Sequence, residues 1–298
     1  DIYVIAPVVG KQLDFSHLER VRLIERKRQN GSARQRAGFM GRIGTFSHKA
    51  CLQYFGDAAE AVPLPTFPSI FEAIKAGGID YGIVPLENSL SGSIHENYDL
   101  LREYDLRIIG EVTIRIMQNL LAKPGTELSG IRRVLSHPQG IEQCRQFLSQ
   151  HQWELVAVSD TAGAAERVSV SQDAGEAVIA GLITAEIYGL SVIAEGIETN
   201  PRNYTRFVVV GREPIEKRTA SKTSLILSAK NEPGALFSIL QVFAEQKINM
   251  IKLESRPIPG EPWRYMFYID IETDLESEAL TAVRAALVDK SEYLKVLG

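Results

Sequence analysis

Between residues 37 and about 213, short apolar runs alternate with segments whose apolar residues recur every three or four positions. Strand-like runs fall at 37–40, 61–64, 81–86, 107–112, 119–123, 132–135, 154–158, 177–180 and 206–210. Helical periodicity fills the gaps, with Ile70, Phe71, Ala73 and Ile74 in 69–76 and Ile141, Cys144, Phe147 and Leu148 in 141–150. Such alternation predicts an α/β fold of parallel sheets covered by helices. After a short polar linker at 219–222 the order becomes βαββαβ: a strand at 223–229, a helix at 235–246, a strand at 249–254, a turn at Pro259-Gly260, a strand at 265–272, a helix at 277–289 and a last strand at 292–296. Leu236, Ile239, Leu240 and Phe243, then Leu280, Val283 and Leu287, give both helices one buried stripe, which makes this a ferredoxin-like module. Residues 1–36 differ in character. Arg, Lys and Gln crowd Arg20 to Arg36, and the stretch is expected to be a basic appendage with one basic helix at 17–28.

Composition narrows the function. A chain of 298 residues with 45% hydrophobic and 23% charged side chains is long enough for two cores. Its net charge of -4 supplies no global positive field, so neither nucleic acid nor a membrane surface is an expected partner. Two cysteines, Cys51 and Cys144, cannot build a disulfide framework and are expected to be buried reduced thiols, which points to the cytoplasm. No run approaches the roughly 18 apolar residues of a membrane span, and residues 1–36 lack the pattern of a secretory signal. Because the chain starts at Asp1, an upstream piece is allowed for.

Four strand-to-helix junctions carry small polar residues: Gly44-Thr45-Phe46-Ser47, Glu87 to Ser93, Ser136-His137-Pro138-Gln139 and Asp160-Thr161-Ala162-Gly163. Each is expected to offer a hydroxyl or carboxamide cap and exposed amides at a positive helix end, and together they suit a small polyanion. Asn203-Tyr204-Thr205-Arg206-Phe207 opens an apolar strand, where alternation puts Thr205 and Phe207 on one face and Arg206 on the other. No Walker loop, intact Gly-x-Gly-x-x-Gly, His-Glu-x-x-His or Cys-x-x-Cys is present, and the histidines lack ligand spacing, so no cofactor and no metal is expected.

Gly41-Arg42-Ile43-Gly44-Thr45-Phe46-Ser47-His48, Val84-Pro85-Leu86-Glu87-Asn88-Ser89, Ser136-His137-Pro138-Gln139, Asp160-Thr161-Ala162-Gly163-Ala164-Ala165, Tyr188-Gly189-Leu190 and Thr205-Arg206-Phe207 occur in an order that resembles prephenate dehydratase. Gly234-Ala235-Leu236-Phe237 and Glu254-Ser255-Arg256-Pro257 are similar to the phenylalanine-binding signatures of its regulatory ACT domain. The resemblance covers about 37–298. It implies a two-lobed catalytic unit like a type II periplasmic binding protein at 37–213, followed by an ACT domain at 222–298. Thr205 is implied as the essential residue. Thr45, Ser47, Asn88, Ser89, Ser93, Ser136, His137, Thr161, Ala162, Asn203, Arg206 and Phe207 are implied around the substrate, and Gly234 to Phe237 with Glu254 to Pro257 around the effector.

The activity so implied is decarboxylating dehydration of prephenate to phenylpyruvate in aromatic amino acid biosynthesis, inhibited by L-phenylalanine in a homodimer or homotetramer. Two alternatives stay open: arogenate as substrate, which yields phenylalanine directly, or a non-catalytic amino-acid-binding protein. Arg42 departs from the family, standing where proline is common, and Gly38 is expected to weaken the first strand.

Overall fold

The computed structural model describes residues 34–212, 222–258, 260–275 and 277–298. The basic helix expected at 17–28 and most of the linker lie outside the described residues. The chain divides into two compact units, one running to Ser93 and then Glu111–Phe207, the other Ile94–Gly110 with Val208–Gly298.

Two sheets belong mainly to the first unit. Strands β1 (Gln35–Met40), β2 (Ala59–Leu64), β3 (Tyr81–Asn88), β4 (Gly92–Ser93), β5 (Arg107–Arg115) and, later in the chain, β11 (Tyr204–Gly211) form a sheet in the order β2-β1-β3-β11-β5, with β4 paired to β3. Phe39, Phe55, Ile70, Phe71, Ile74 and Ile83 are fully buried against it, from β1, β3 and the helices Phe46–Phe55 and Phe67–Lys75. The first strand starts at Gln35, two residues before the expected edge of the appendage. At Gly38 the methyl ends of Ile79 and Leu64 fill the space a side chain would take; an added Cβ would lie 2.5 and 2.9 Å from them.

The second sheet runs β10-β6-β9-β7-β8, from β6 (Asn119–Ala122), β7 (Arg133–Ser136), β8 (Glu154–Ala157), β9 (Glu176–Ala180) and β10 (Ser191–Ala194). Its alternation is clean. Leu120, Ala122, Val134, Ala177 and Ile179 face Cys144, Leu148 and Ile197, whereas Leu121, Leu135, Val178 and Ala180 face Ala164, Ala165, Val168 and Ala185. The expectation of parallel sheets is corrected here: β1 pairs β2 and β3, and β7 pairs β8 and β9, in parallel, but β3–β4, β6–β9 and β6–β10 are antiparallel. β4 follows β3 after only three residues, too few for the crossover that a parallel neighbour requires.

A second correction concerns the single helix expected at 141–150. The chain forms Pro138–Gln143 and Arg145–Leu148 instead, broken at Cys144. The Thr199 amide takes the Gln143 carbonyl at 2.7 Å, and the Gln146 amide turns to the Thr199 hydroxyl at 3.3 Å, so the intrahelical ladder is interrupted from outside.

In the second unit β12 (Thr223–Ala229), β13 (Met250–Pro257), β14 (Tyr265–Ile271) and β15 (Ser291–Val296) form an antiparallel sheet ordered β13-β14-β12-β15. One face packs Leu225, Leu227, Ile269 and Ile271 on Ile239, Phe243, Leu280, Val283 and Leu287 of the helices Ala235–Glu245 and Glu278–Val288. The opposite face meets the helix His95–Glu103. Tyr98 and Tyr268 rings lie 4.6 Å apart, and the Lys295 ammonium donates to the carbonyls of Leu101, Arg102 and Tyr104 at 2.9, 3.3 and 2.6 Å, closing the helix C-terminus where its dipole is negative.

Candidate active site

At the end of β3 the Asn88 side chain is 8% exposed and ties together segments far apart in sequence. Its Oδ1 accepts from the Leu90 and Ser91 amides at 3.0 and 2.9 Å and from the Ser91 hydroxyl at 3.0 Å. Backbone N–H groups can only donate, so the other end of the carboxamide must be the nitrogen. That Nδ2 faces Asn203 Oδ1 at 2.6 Å, the Tyr204 carbonyl at 3.1 Å and Thr205 Oγ1 at 2.9 Å. Thr205 therefore accepts from Asn88, which leaves its own proton to be donated.

Ser89 closes the same turn, with its amide donating to the Tyr204 carbonyl, its hydroxyl donating to the Arg202 carbonyl, and the Tyr204 amide donating to its oxygen. Ser93 sits on β4 opposite Glu87. Phe207 lies in the core, and Arg206 is held by Glu87 at 3.1 Å and Glu111 at 3.3 Å. Asn203 is wholly buried, and its Nδ2 finds no partner among the described residues. It lines a cavity of about 460 Å³ with Leu90, Gln143, Gln146 and Glu198. Behind Glu198, Gln118 donates its amide to the buried carboxylate and its side chain to Gln143 Oε1.

The helix ends differ from one another. Thr45 caps Phe46–Phe55 through a bond from the His48 amide, and Ser47 is half-buried in the first turn. His48 is buried, which pushes its pKa down, and its neutral ring accepts the Gly44 amide at Nδ1. His137 caps Pro138–Gln143 through the Gln139 amide. The expectation of a polar cap at all four junctions fails at the other two: Ile94 caps His95–Glu103, and Asp160 makes no cap bond to Thr161–Val170. Arg42 explains the second case, because its guanidinium pairs with Asp160 at 2.8 Å and Glu166 at 3.0 Å. Thr161 and Ala162 thus begin a helix whose first amides are uncapped by a side chain. Ser136 is buried and donates to the Ile179 carbonyl.

Two groups result: Asn88, Ser89, Asn203 and Thr205, joined by Ser91 and by Gln139, which donates to the Ser91 hydroxyl at 3.1 Å; and Thr45 with the Gly41–Gly44 turn, joined to Asp160–Gly163 through Arg42. Glu198, Gln118 and Gln143 were not foreseen. A glutamate in a polar turn reads as solvent-facing, and nothing local marks Glu198 as buried.

In the second unit Gly234 adopts φ 82°, a conformation that favours glycine, at the start of Ala235–Glu245. Ala235 is buried, Leu236 half-buried and Phe237 70% exposed. On β13, Glu254 and Arg256 point to the face that meets His95–Glu103, while Ser255 and Pro257 are exposed.

Residues 37–215 match the prephenate dehydratase family model and 223–289 the ACT domain model. The chain is similar to the bifunctional chorismate mutase/prephenate dehydratase of Neisseria gonorrhoeae (strain ATCC 700825 / FA 1090), 39% identical over 262 residues that cover 87% of this chain and 72% of that protein. It is equally similar to the chloroplastic arogenate dehydratase/prephenate dehydratase 2 of Arabidopsis thaliana, 39% identical over 280 residues covering 90% and 73%. The solved prephenate dehydratase from Arthrobacter aurescens in complex with L-Phe superposes with a TM-score of 0.79 at 34% identity, covering 88% of each chain. The chain belongs to the prephenate dehydratase family, carbon–oxygen lyases, and carries the ACT domain after its dehydratase domain.

Proposed function

We propose that Thr205 is the proton donor of a decarboxylating dehydration in which prephenate becomes phenylpyruvate, carbon dioxide and water. The observation that carries this reading is the Asn88 carboxamide, which donates to Thr205 Oγ1 and so directs the threonine proton outward. In the reaction the ring carboxylate leaves as CO2, its C–C electron pair completes the aromatic ring, and the C4–O bond breaks with its pair on oxygen. Departing hydroxide takes a proton through Thr205, which is re-protonated by the one solvent proton that conversion of the dianion to phenylpyruvate, CO2 and water consumes, since a threonine alkoxide is too basic to persist. Asn203 Nδ2, a buried donor without a partner among the described residues, is suited to a substrate oxygen. The Thr45 hydroxyl donates to the Arg42 carbonyl at 2.9 Å and so shapes the Gly41–Gly44 turn rather than facing a carboxylate; the Ser47 and Thr161 hydroxyls and the helix-end amides, Ala162's among them, serve the two carboxylates.

The ACT domain is the sensor for L-phenylalanine, and inhibition is the expected sense. Exposed Ile251 and Leu253 on edge strand β13, with Phe237, support pairing of two or four copies through this domain. Two free, buried cysteines support a reducing compartment such as the cytoplasm; among the described residues no helix is long and apolar enough to cross a membrane. The decisive experiment incubates the protein with prephenate or arogenate separately and follows phenylpyruvate and phenylalanine, with and without added phenylalanine. Phenylpyruvate from prephenate is expected; phenylalanine from arogenate alone would move the substrate, and no product from either would refute the reading.

A further inference from the structure

Helix His95–Glu103 presents three side chains to the sheet, an imidazole from His95 and, one turn on, a phenol ring and a carboxylate from the adjacent Tyr98 and Asp99. His95 Nε2 lies 2.9 Å from Glu254 Oε1, the Tyr98 ring packs on Tyr268 with the Lys252 ammonium 5.4 Å from its centre, and Asp99 Oδ2 accepts from Arg256 Nη2 at 2.9 Å. A nitrogen donor facing a glutamate, an aromatic ring and a carboxylate facing an arginine are also what a zwitterionic aromatic amino acid offers. We propose that these three side chains are an internal surrogate for the effector, seated on Glu254 and Arg256, and that the free amino acid acts by displacing the helix from that strand. The proposal rests on the reading of the ACT domain as a phenylalanine sensor.

The geometry explains how a small ligand would win. Asp99 engages only one terminal nitrogen of Arg256; Nη1 is buried and has no hydrogen-bond partner among the described residues. A free carboxylate can take both nitrogens side by side, the stronger arrangement, whereas Asp99 is tethered to a helix. An ammonium, charged at every physiological pH, replaces an imidazole that is charged only when protonated. The displacement has a direct route to the reaction centre. His95 follows Ser93 by two residues, and Ser93 ends the β3–β4 hairpin whose first strand carries Asn88. Releasing the helix therefore loosens the turn that orients the Asn88 carboxamide.

Competition makes an unusual demand: weakening the helix's grip must tighten phenylalanine binding. In the full-length chain, D99N and, separately, K295M, which frees the helix C-terminus without touching Glu254 or Arg256, should lower the phenylalanine Kd measured by calorimetry by roughly threefold to tenfold. Both should lower the half-inhibitory concentration in parallel. Saturating phenylalanine should speed amide hydrogen exchange in 98–103 of the wild-type chain. A Kd unchanged or raised in both variants, with folding verified by a thermal melt, or slower exchange in that helix, overturns the displacement. If the wild-type chain binds no phenylalanine, the sensor reading itself falls and the displacement with it.

Discussion

Asn88 donates to the Thr205 hydroxyl oxygen across 2.9 Å and 117 positions of sequence, and because an amide nitrogen cannot accept, the threonine proton points away from it. Thr205→Ala should lower kcat by about 10² to 10⁴ with little change in melting temperature, the range expected for loss of a positioned proton donor. Asn88→Asp is a sharper test, being nearly the same shape. A carboxylate cannot donate, so it would accept the Thr205 proton and turn it away from the substrate, and turnover should fall at least as far as in a variant that loses the amide altogether. Near-normal turnover in Asn88→Asp, measured by phenylpyruvate release, would rule out the assigned direction.

Arg42 pairs with the Asp160 carboxylate, which makes no cap bond to the first amides of Thr161–Val170 although it lies beside Gly163. Without the arginine, Asp160 is free to cap that helix and to oppose a substrate carboxylate. Arg42→Ala should raise KM for the dianionic substrate severalfold with kcat within about twofold. Adding Asp160→Ala should recover much of the loss; steady-state kinetics of the single and double variants decide it.

Glu176 is a buried carboxylate shared by two arginines, Arg133 at 3.1 Å and Arg167 at 2.8 Å. Burial alone raises its pKa, but the Ser171 hydroxyl and the two guanidiniums outweigh that and hold it below the ordinary carboxylate value. A depressed folded-state pKa means stability that is fully present above the unfolded value and lost as pH falls through the folded one. Glu176→Gln should cost about 2 kcal/mol at neutral pH. The gap to the wild type should close as pH drops through that window in urea titrations.

Burial pushes the thiols of Cys51 and Cys144 up to about 12, so neither is a thiolate near neutral pH. A thiol reagent should label no cysteine in the native protein and both after denaturation. Labelling in native buffer at the rate of a free thiol would show that one of these cores opens.

The period-two runs rich in Val, Ile and Leu located nine strands of the dehydratase domain, because a strand buried on one or both faces needs that pattern wherever its neighbours come from. β4 and β10 escaped: the first is two residues long, and Ser191 to Ala194 is too short and polar at its start to stand out. The ACT module was legible in full order, since its two helices and the inner sheet face bury a stripe against one another within 76 residues, 223–298. Thr205 stood out from its strand-start position and its motif, but the partner that sets its proton did not, as Asn88 reaches it only once β3 and β11 lie side by side.

What the chain determined by itself is local: which segments are strands or helices, where Gly and Pro turn it, and which polar residues stand at helix starts. Tertiary structure decided what those polar residues touch. Asp160 had the sequence of a helix cap and became half of an ion pair, because Arg42 arrives from a turn 118 positions away. Helix 141–150 had unbroken periodicity and was split, because Thr199 competes for its carbonyl. Lys252, Glu254 and Arg256 alternate like the wet face of an edge strand, yet they hold His95, Tyr98 and Asp99, and only folding could place that helix there. Hydrophobic burial follows a periodicity that each segment carries within it, whereas a hydrogen bond or ion pair depends on one particular partner, and no segment carries its partner's position.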